Sequence, residues 1–357
     1  PMPEPFERIL VIKLRYIGDV LLSTPVIRNL RLHFPRVHLA MMVNAGTDAI
    51  LRHNRCVDEV LALDREHLKT WNPVARLEAP LRYRRWVRAR HFDCVVDLTD
   101  ADRSALLTYA SGARTRVGFN AEGRWRGRLY TRIAQAGCPR QHHVDYQLEA
   151  LRALGLEIRN RELELPLAAG EEAAAAAWLA RQGVGEAIPF VAFHSGARGW
   201  FKQWPAEKCA ALADRLQAED GLPIIFLGGT QEQEFLTTVR THMRTPFRGG
   251  AGGLELLEMA AVLRRARAFV GNDNGPMHIA AALGTPVVAL FGPSDPREWG
   301  PRGTGHRVIH KGGYCSPCIH PSCVRGEQNC LRVITVDEVA EAVRAVIGRA
   351  AAGLPAR

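Results

Sequence analysis

The chain has 357 residues, 47% of them hydrophobic and 24% charged, and a formal net charge of +10. That length exceeds one ordinary core and fits two domains of typical size, and the composition excludes a disordered or fibrous chain. No run reaches the roughly 18 to 20 apolar residues of a bilayer span, and the opening PMPEPFERIL lacks the charged-then-apolar order of a signal peptide, so a cytoplasmic protein is expected.

In chain order, strand-like runs alternate with helical ones, the signature of parallel α/β architecture. The first strand is RILVIKL. Over VIKLRYIGDVLLSTP it gives way to Lys13, Arg15, Gly18 and Asp19, and then to a helix read over VLLSTPVIRNLRLHF. Two cations and a carboxylate at that turn suit a phosphate site or an acid–base site. Gly18 is expected to let the backbone turn tightly and Asp19 to open the helix, where an N-cap aspartate is the structural alternative.

HLAMMV, DEVLAL and FDCVVDL read as the next strands. Before the last of them, RLEAPLRYRRWVRARHFD places Arg82, Arg84, Arg85, Arg88 and Arg90 within nine residues. Arginine suits bidentate contact with phosphate or carboxylate, and the run reads equally as a solvated helix face. Asp100 and Asp102, two apart in LTDADR, fit capping of a helix as readily as a metal-binding pair.

Pro166 and Gly170, before an Ala-rich helix, suggest a linker, so domains are expected at 1–167 and 168–334. The strand–helix pattern then restarts with PFVAFHSG, PAEKCAALADRLQAE, PIIFLGG, EQEFLTTVRTHM, LELLEMAAVLRRA, RAFVGND, GPMHIAAALG and TPVVALFG. A final helix over 335–349 begins with Thr335 and Glu338 in capping-box spacing and is expected to pack back on the first domain.

In open parallel sheets, ligands sit beyond the carboxyl ends of the strands. After PFVAFHSG, the small residues Ser195, Gly196 and Ala197 let backbone amides approach a phosphate, and Lys202 adds a point charge. The spacing is not that of a Walker loop. After RAFVGND, Asp273, Asn274 and Gly275 lead into a helix with Pro276 in its favoured first turn. The amides there carry partial positive charge toward an anion, and His278, one turn in, is either structural or a ligand contact.

Cys56, Cys94, Cys138 and Cys209 stand singly, as buried reduced thiols do. Cys315, Cys318, Cys323 and Cys330 cluster, and three readings stay open: a zinc site, a disulfide or redox pair, or reduced structural thiols. The cationic excess calls for an anionic partner, whether nucleic acid, a membrane surface or a phosphorylated small molecule. No nucleic-acid-reading motif is present, and that partner ranks last.

Together, K-x-R-x-x-G-D-x-L-L-x-T-P-V at Lys13–Val26, the lysine-tryptophan turn at Lys202–Pro205 and D-N-G-P-M-H-I-A-A-A-L-G-T-P at Asp273–Pro286 resemble the family 9 glycosyltransferases, the lipopolysaccharide heptosyltransferases. Within that family, KLRYIGDVLLSTPVI and FDCVVDLTD are most similar to the members that add a branching inner-core heptose. The resemblance implies a GT-B fold, two Rossmann-like doubly wound parallel-sheet domains facing across a cleft, with the acceptor on the first and the nucleotide sugar on the second. It implies an inverting, metal-independent transfer from ADP-heptose to the lipid A-linked inner core at the cytoplasmic face of the inner membrane, no required cofactor and no nucleic acid.

By the same resemblance Asp19 is the catalytic base and Lys202 contacts the donor diphosphate. Ser195, Gly196, Ala197, Asp273, Asn274, Gly275 and His278 line the donor site, and Glu232 or Glu234 in GGTQEQE holds the adenosine ribose. Lys13 and Arg15 hold acidic groups of the acceptor or keep Asp19 ionised, and Gly18, Arg84 and Arg85 complete the acceptor side. A nucleotide-sugar epimerase is the alternative enzyme.

Overall fold

The computed structural model describes residues 6–64, 83–135, 141–196, 202–313, 315, 317–318 and 323–351. The chain divides into two compact units, Pro1–Pro166 and Leu167–Arg357. Each is built on one six-stranded sheet in which every pairing is parallel.

The first sheet contains β1 (Arg8–Lys13), β2 (His38–Asn44), β3 (Glu59–Leu63), β4 (Cys94–Asp97), β5 (Thr115–Phe119) and β6 (Arg132–Ala134), in the order β3-β2-β1-β4-β5-β6. Its central strands are apolar on both faces because helices cover both sides, whereas the edge strands β3 and β6 keep exposed residues. The second sheet contains β7 (Val191–His194), β8 (Ile224–Gly228), β9 (Arg248–Ala251), β10 (Ala268–Asn272), β11 (Val287–Phe291) and β12 (Arg307–His310), in the order β12-β11-β10-β7-β8-β9. Counted within each unit, both follow 3-2-1-4-5-6, the dinucleotide-binding order. The order reverses between β1 and β4 and between β7 and β10, the points beyond whose carboxyl ends open parallel sheets bind ligands.

The helix expected over VLLSTPVIRNLRLHF is two helices, Ile17–Leu21 and Thr24–His33. Pro25 lacks an N–H and so interrupts the ladder, and the hydroxyls of Ser23 and Thr24 bond back to the carbonyls of Val20 and Leu21 at 2.6 and 2.8 Å. Gly18 is the second residue of the first helix, so the tight turn expected of it is not its role. Asp19 is the third helical residue rather than the N-cap, a place held by Tyr16. Downstream, Asn29 on the second helix binds the backbone of Arg159 and Asn160 (2.6 to 3.1 Å), tying the end of the unit back to it.

The final helix, Val336–Ala351, expected on the first domain, packs within the second unit against helix Ala206–Asp220 and strands β10, β11 and β12. Its apolar face, Val339, Ala340, Val343 and Val346, joins one cluster with Trp204, Leu212 and Leu216. The fully buried Trp204 indole donates to the Ile334 carbonyl at 3.2 Å, fixing the entry to that helix. The capping box forms as read: Glu338 accepts from the Thr335 amide at 3.0 Å, and Thr335 accepts from the Glu338 amide at 3.2 Å.

Candidate active site

In the first unit, the register that sets Ile12 opposite Asp97 brings the end of β1 against the residues leaving β4. Lys13 is only 1% exposed. Its ammonium donates to the Leu98 carbonyl at 2.9 Å and lies 3.2 Å from His143 Nε2 and 3.7 Å from Asp19 Oδ1. Burial, partly offset by Asp19, pushes the Lys13 amine down to about 8. The other oxygen of Asp19 accepts from the Tyr16 amide at 3.4 Å. The buried ammonium thus faces the Asp19 carboxylate.

Arg15 is exposed, and its guanidinium grips the Thr99 carbonyl at 3.0 and 3.1 Å. Thr99 in turn accepts from the Leu14 amide at 2.9 Å and donates to the Ile12 carbonyl at 3.2 Å. Beneath it, Asp97 is fully buried and accepts from the Tyr130 hydroxyl and the Thr99 amide, both at 2.8 Å. Burial raises the Asp97 carboxyl above its ordinary range, against the pull of hydrogen bonds from Ser104, Thr99 and Tyr130.

Asp100 does not cap a helix. It adopts a left-handed φ of 54° and accepts from Arg126 at 2.7 Å and from the Tyr146 hydroxyl at 3.3 Å. Asp102 shares the buried Arg126 at 3.3 Å, so this acidic pair holds a guanidinium. Of the arginine run, Arg82 lies outside the described residues. Arg84 and Arg85 are exposed next to Tyr83, whose hydroxyl accepts from the Asp64 amide just beyond β3. Arg90 is structural, pairing with Glu59 at 2.8 Å and stacking over Trp86.

In the second unit, His194 pairs with Gly271 in register, so Ser195 meets Asn272. Asn272 donates to the Ser195 carbonyl at 2.8 Å. Asn274 caps helix Gly275–Ala282 by accepting from the Met277 amide (3.0 Å), and its amide donates to the Gly196 carbonyl at 2.8 Å. Lys202 donates to Asp273 at 3.2 Å and to Ser294 at 3.0 Å, and the Ser294 hydroxyl donates to Asp273 at 2.5 Å. His194 is buried, which pushes its imidazole down to about 4.

A Cβ on Gly196 would stand 2.6 Å from Glu232 Oε1 and 2.7 Å from His194 Cε1, so the bare glycine lets that carboxylate lie directly against the loop. Burial raises the Glu232 carboxyl, whereas Glu234 is exposed on the next helix. Of the two glutamates, the fold brings Glu232 to the site and not Glu234. His278 is buried one turn into its helix, and Ala197 lies outside the described residues. Among the described residues, the buried polar atoms Ser195 Oγ, Asn272 Oδ1 and Glu232 Oε2 have no partner, so this end of the sheet retains hydrogen-bonding capacity.

The zinc reading of the cysteines is not supported by their placement. All four are free thiols, and among the described residues no group of three or more His, Cys, Asp or Glu is placed to hold a metal. Burial, with Cys323 and Cys315 nearby, raises the Cys330 thiol. Cys56, Cys94 and Cys209 are buried thiols, as read, while Cys138 lies outside the described residues. Among the described residues no helix is long and apolar enough to cross a membrane.

Sequence reading missed His143, Asp97, Tyr130, Arg126 and Ser294. Only Asp97, at the end of an apolar strand, carried a local signal; the others arrive from distant elements.

Lipopolysaccharide heptosyltransferase 3 of Escherichia coli (strain K12) is 28% identical over 295 residues, covering 81% of this chain and 83% of that protein. Among solved structures, the glycosyl transferase family 9 protein from Veillonella parvula DSM 2008 superposes with a TM-score of 0.84 at 24% identity, covering 96% of this chain and 98% of that one. The E. coli heptosyltransferase WaaC with ADP gives 0.74 at 22%, covering 95% and 99%. These likenesses show the GT-B fold, two Rossmann-like units. The model of glycosyltransferase family 9 (heptosyltransferase) matches residues 81–328, more than half the chain, and with two sheets of one order carrying the matching motifs at their reversal points, the chain belongs to that family.

Proposed function

We propose that this protein transfers heptose from ADP-heptose to the inner core of lipopolysaccharide, adding a branching heptose with inversion and without a metal ion. Asp19 takes the proton of the acceptor hydroxyl as that oxygen bonds to the anomeric carbon, and the bond from that carbon to the ADP oxygen breaks. A carboxylate is a weak base toward an alcohol, so its contribution lies in placement and in receiving the proton late. Lys13, buried beside it, keeps it aimed, and Arg15, Arg84 and Arg85 supply exposed cations for the acidic core.

In the second unit, Lys202 meets the leaving diphosphate, helped by the Ser195–Ala197 loop and the amides that Asn274 leads into the helix. Lys202 exchanges Asp273 for phosphate, and Ser294 keeps Asp273 bonded while it does. Asp273 is then turned to the donor sugar hydroxyls, His278 to the phosphates and Glu232 to the ribose. The acceptor is lipid-anchored, so the protein works at the cytoplasmic face of the inner membrane, where each arginine near an anionic surface adds about 1 kcal/mol.

The observation that carries this reading is the Asp19 carboxylate held 3.7 Å from a buried ammonium at the reversal point of the first sheet. Asp19→Asn is expected to bind donor as the wild type does and to lose turnover by a factor of about a thousand or more. Near wild-type turnover in that variant refutes the mechanism. Calorimetric titration with ADP, UDP and GDP tests the donor: ADP should bind at least about tenfold more tightly, and preference for UDP or GDP removes ADP-heptose.

A further inference from the structure

His143 is the first residue of helix His143–Ala153, whose N-cap is the neighbouring His142, accepting from the Val144 amide at 3.2 Å. The ring of His143 is held by a stack: it lies 5.8 Å from the Tyr146 ring at 15°, and Tyr146 lies 4.3 Å from Phe119 at 21°. Its Nε2 is thereby kept 3.2 Å from Lys13 Nζ and 3.9 Å from Asp19 Oδ1. Among the described residues the titratable groups facing it are Lys13 from β1, Asp19 from helix Ile17–Leu21 and Tyr146 on its own helix, with Asp100 and Arg126 behind Tyr146.

An ammonium carries three protons and accepts none. Leu98 takes one of those of Lys13, so with Nε2 as acceptor of a second, the third is left for Asp19. This requires His143 neutral, with its proton on Nδ1. We propose that His143 is a positioning residue for Asp19: its neutral imidazole orients the Lys13 ammonium toward the carboxylate, and protonation of that imidazole switches the site off. A protonated ring can only donate, so it turns its Nε2–H on Asp19, the group meant to receive the acceptor's proton, and sets a second cation against Lys13. Histidine changes charge between about pH 5 and 8, within reach of physiological conditions. The inference rests on the reading of Asp19 as base, and its test has one arm that does not.

The first arm measures kcat/KM against pH for the wild type, His143→Gln and His143→Leu. Glutamine offers a neutral acceptor at every pH. The wild type should fall about tenfold from pH 7.5 to 5.5, while His143→Gln, within about threefold of the wild-type plateau, should stay flat over that range. His143→Leu leaves the ammonium short of a partner and should lose about thirtyfold at all pH values, with donor KM unchanged. An acid limb that survives in His143→Gln, or a leucine variant as active as the glutamine one, overturns the proposal.

The second arm follows the Lys13 signal of the substrate-free protein by NMR with 13Cε-labelled lysine. The wild type should show an inflection between pH 5.5 and 7.5 that His143→Gln abolishes; its absence from the wild type, or persistence in the variant, also overturns the proposal. A protein that transfers no heptose would sink the proposed reaction and leave this second result to decide the contact.

Discussion

Lys13 counts toward the positive charge of the sequence, yet the fold buries it. Its spacing from Asp19 was readable, but its burial was not, because Leu98 and His143 lie 85 and 130 residues away in sequence. Glu232 and Glu234 show the same limit: two residues apart, they were indistinguishable until Gly196 admitted one of them. His194 gives a prediction at this scale. The unfolded chain protonates it below about pH 6.5, the native one only near pH 4. The unfolded state therefore binds more protons in that window, and stability falls as pH drops through it. From pH 7 to 5 the wild type should lose about 2 kcal/mol of unfolding free energy that His194→Gln retains, as read by urea denaturation at both pH values.

At the scale of elements, fully apolar runs such as RILVIK and VVALF identify themselves, because strands covered on both faces leave no polar alternation. The edge strands β6, β9 and β12 escaped sequence reading. RIA is only three residues long, and RVIH is half exposed. RGGA is a poor strand former, yet Gly249 runs there at φ 102° with its Cα against the Phe226 backbone, where no Cβ fits. The final helix was legible in its cap and its apolar face, but its destination was not, since an apolar stripe does not state which core receives it. Trp204→Ala should therefore cost about 3 to 5 kcal/mol and expose residues 336–351 to limited proteolysis, whereas Trp204→Phe, losing one hydrogen bond, should cost about 1 kcal/mol. Equal protection of the helix in wild type and alanine variant would refute that anchoring.

At the scale of the whole molecule, the two units repeat one strand order, and each closes its own core. A fragment of residues 167–351 should fold and bind ADP within about threefold of the full chain, because domains with their own core fold alone. A fragment ending at 334 should not, since it uncovers the face completed by Val339, Val343 and Val346. Circular dichroism and calorimetry on both fragments check this, and a folded shorter fragment would contradict it. Sequence by itself determined the α/β class, the restart of the pattern near Pro166 and the turns that leave the central strands, because these depend on local periodicity and on residues within one loop. Only the tertiary structure decided which core takes the last helix, which glutamate lies against the Gly196 loop and what surrounds the Asp19 carboxylate. Those depend on strand order and register, which bring together groups that no local pattern connects.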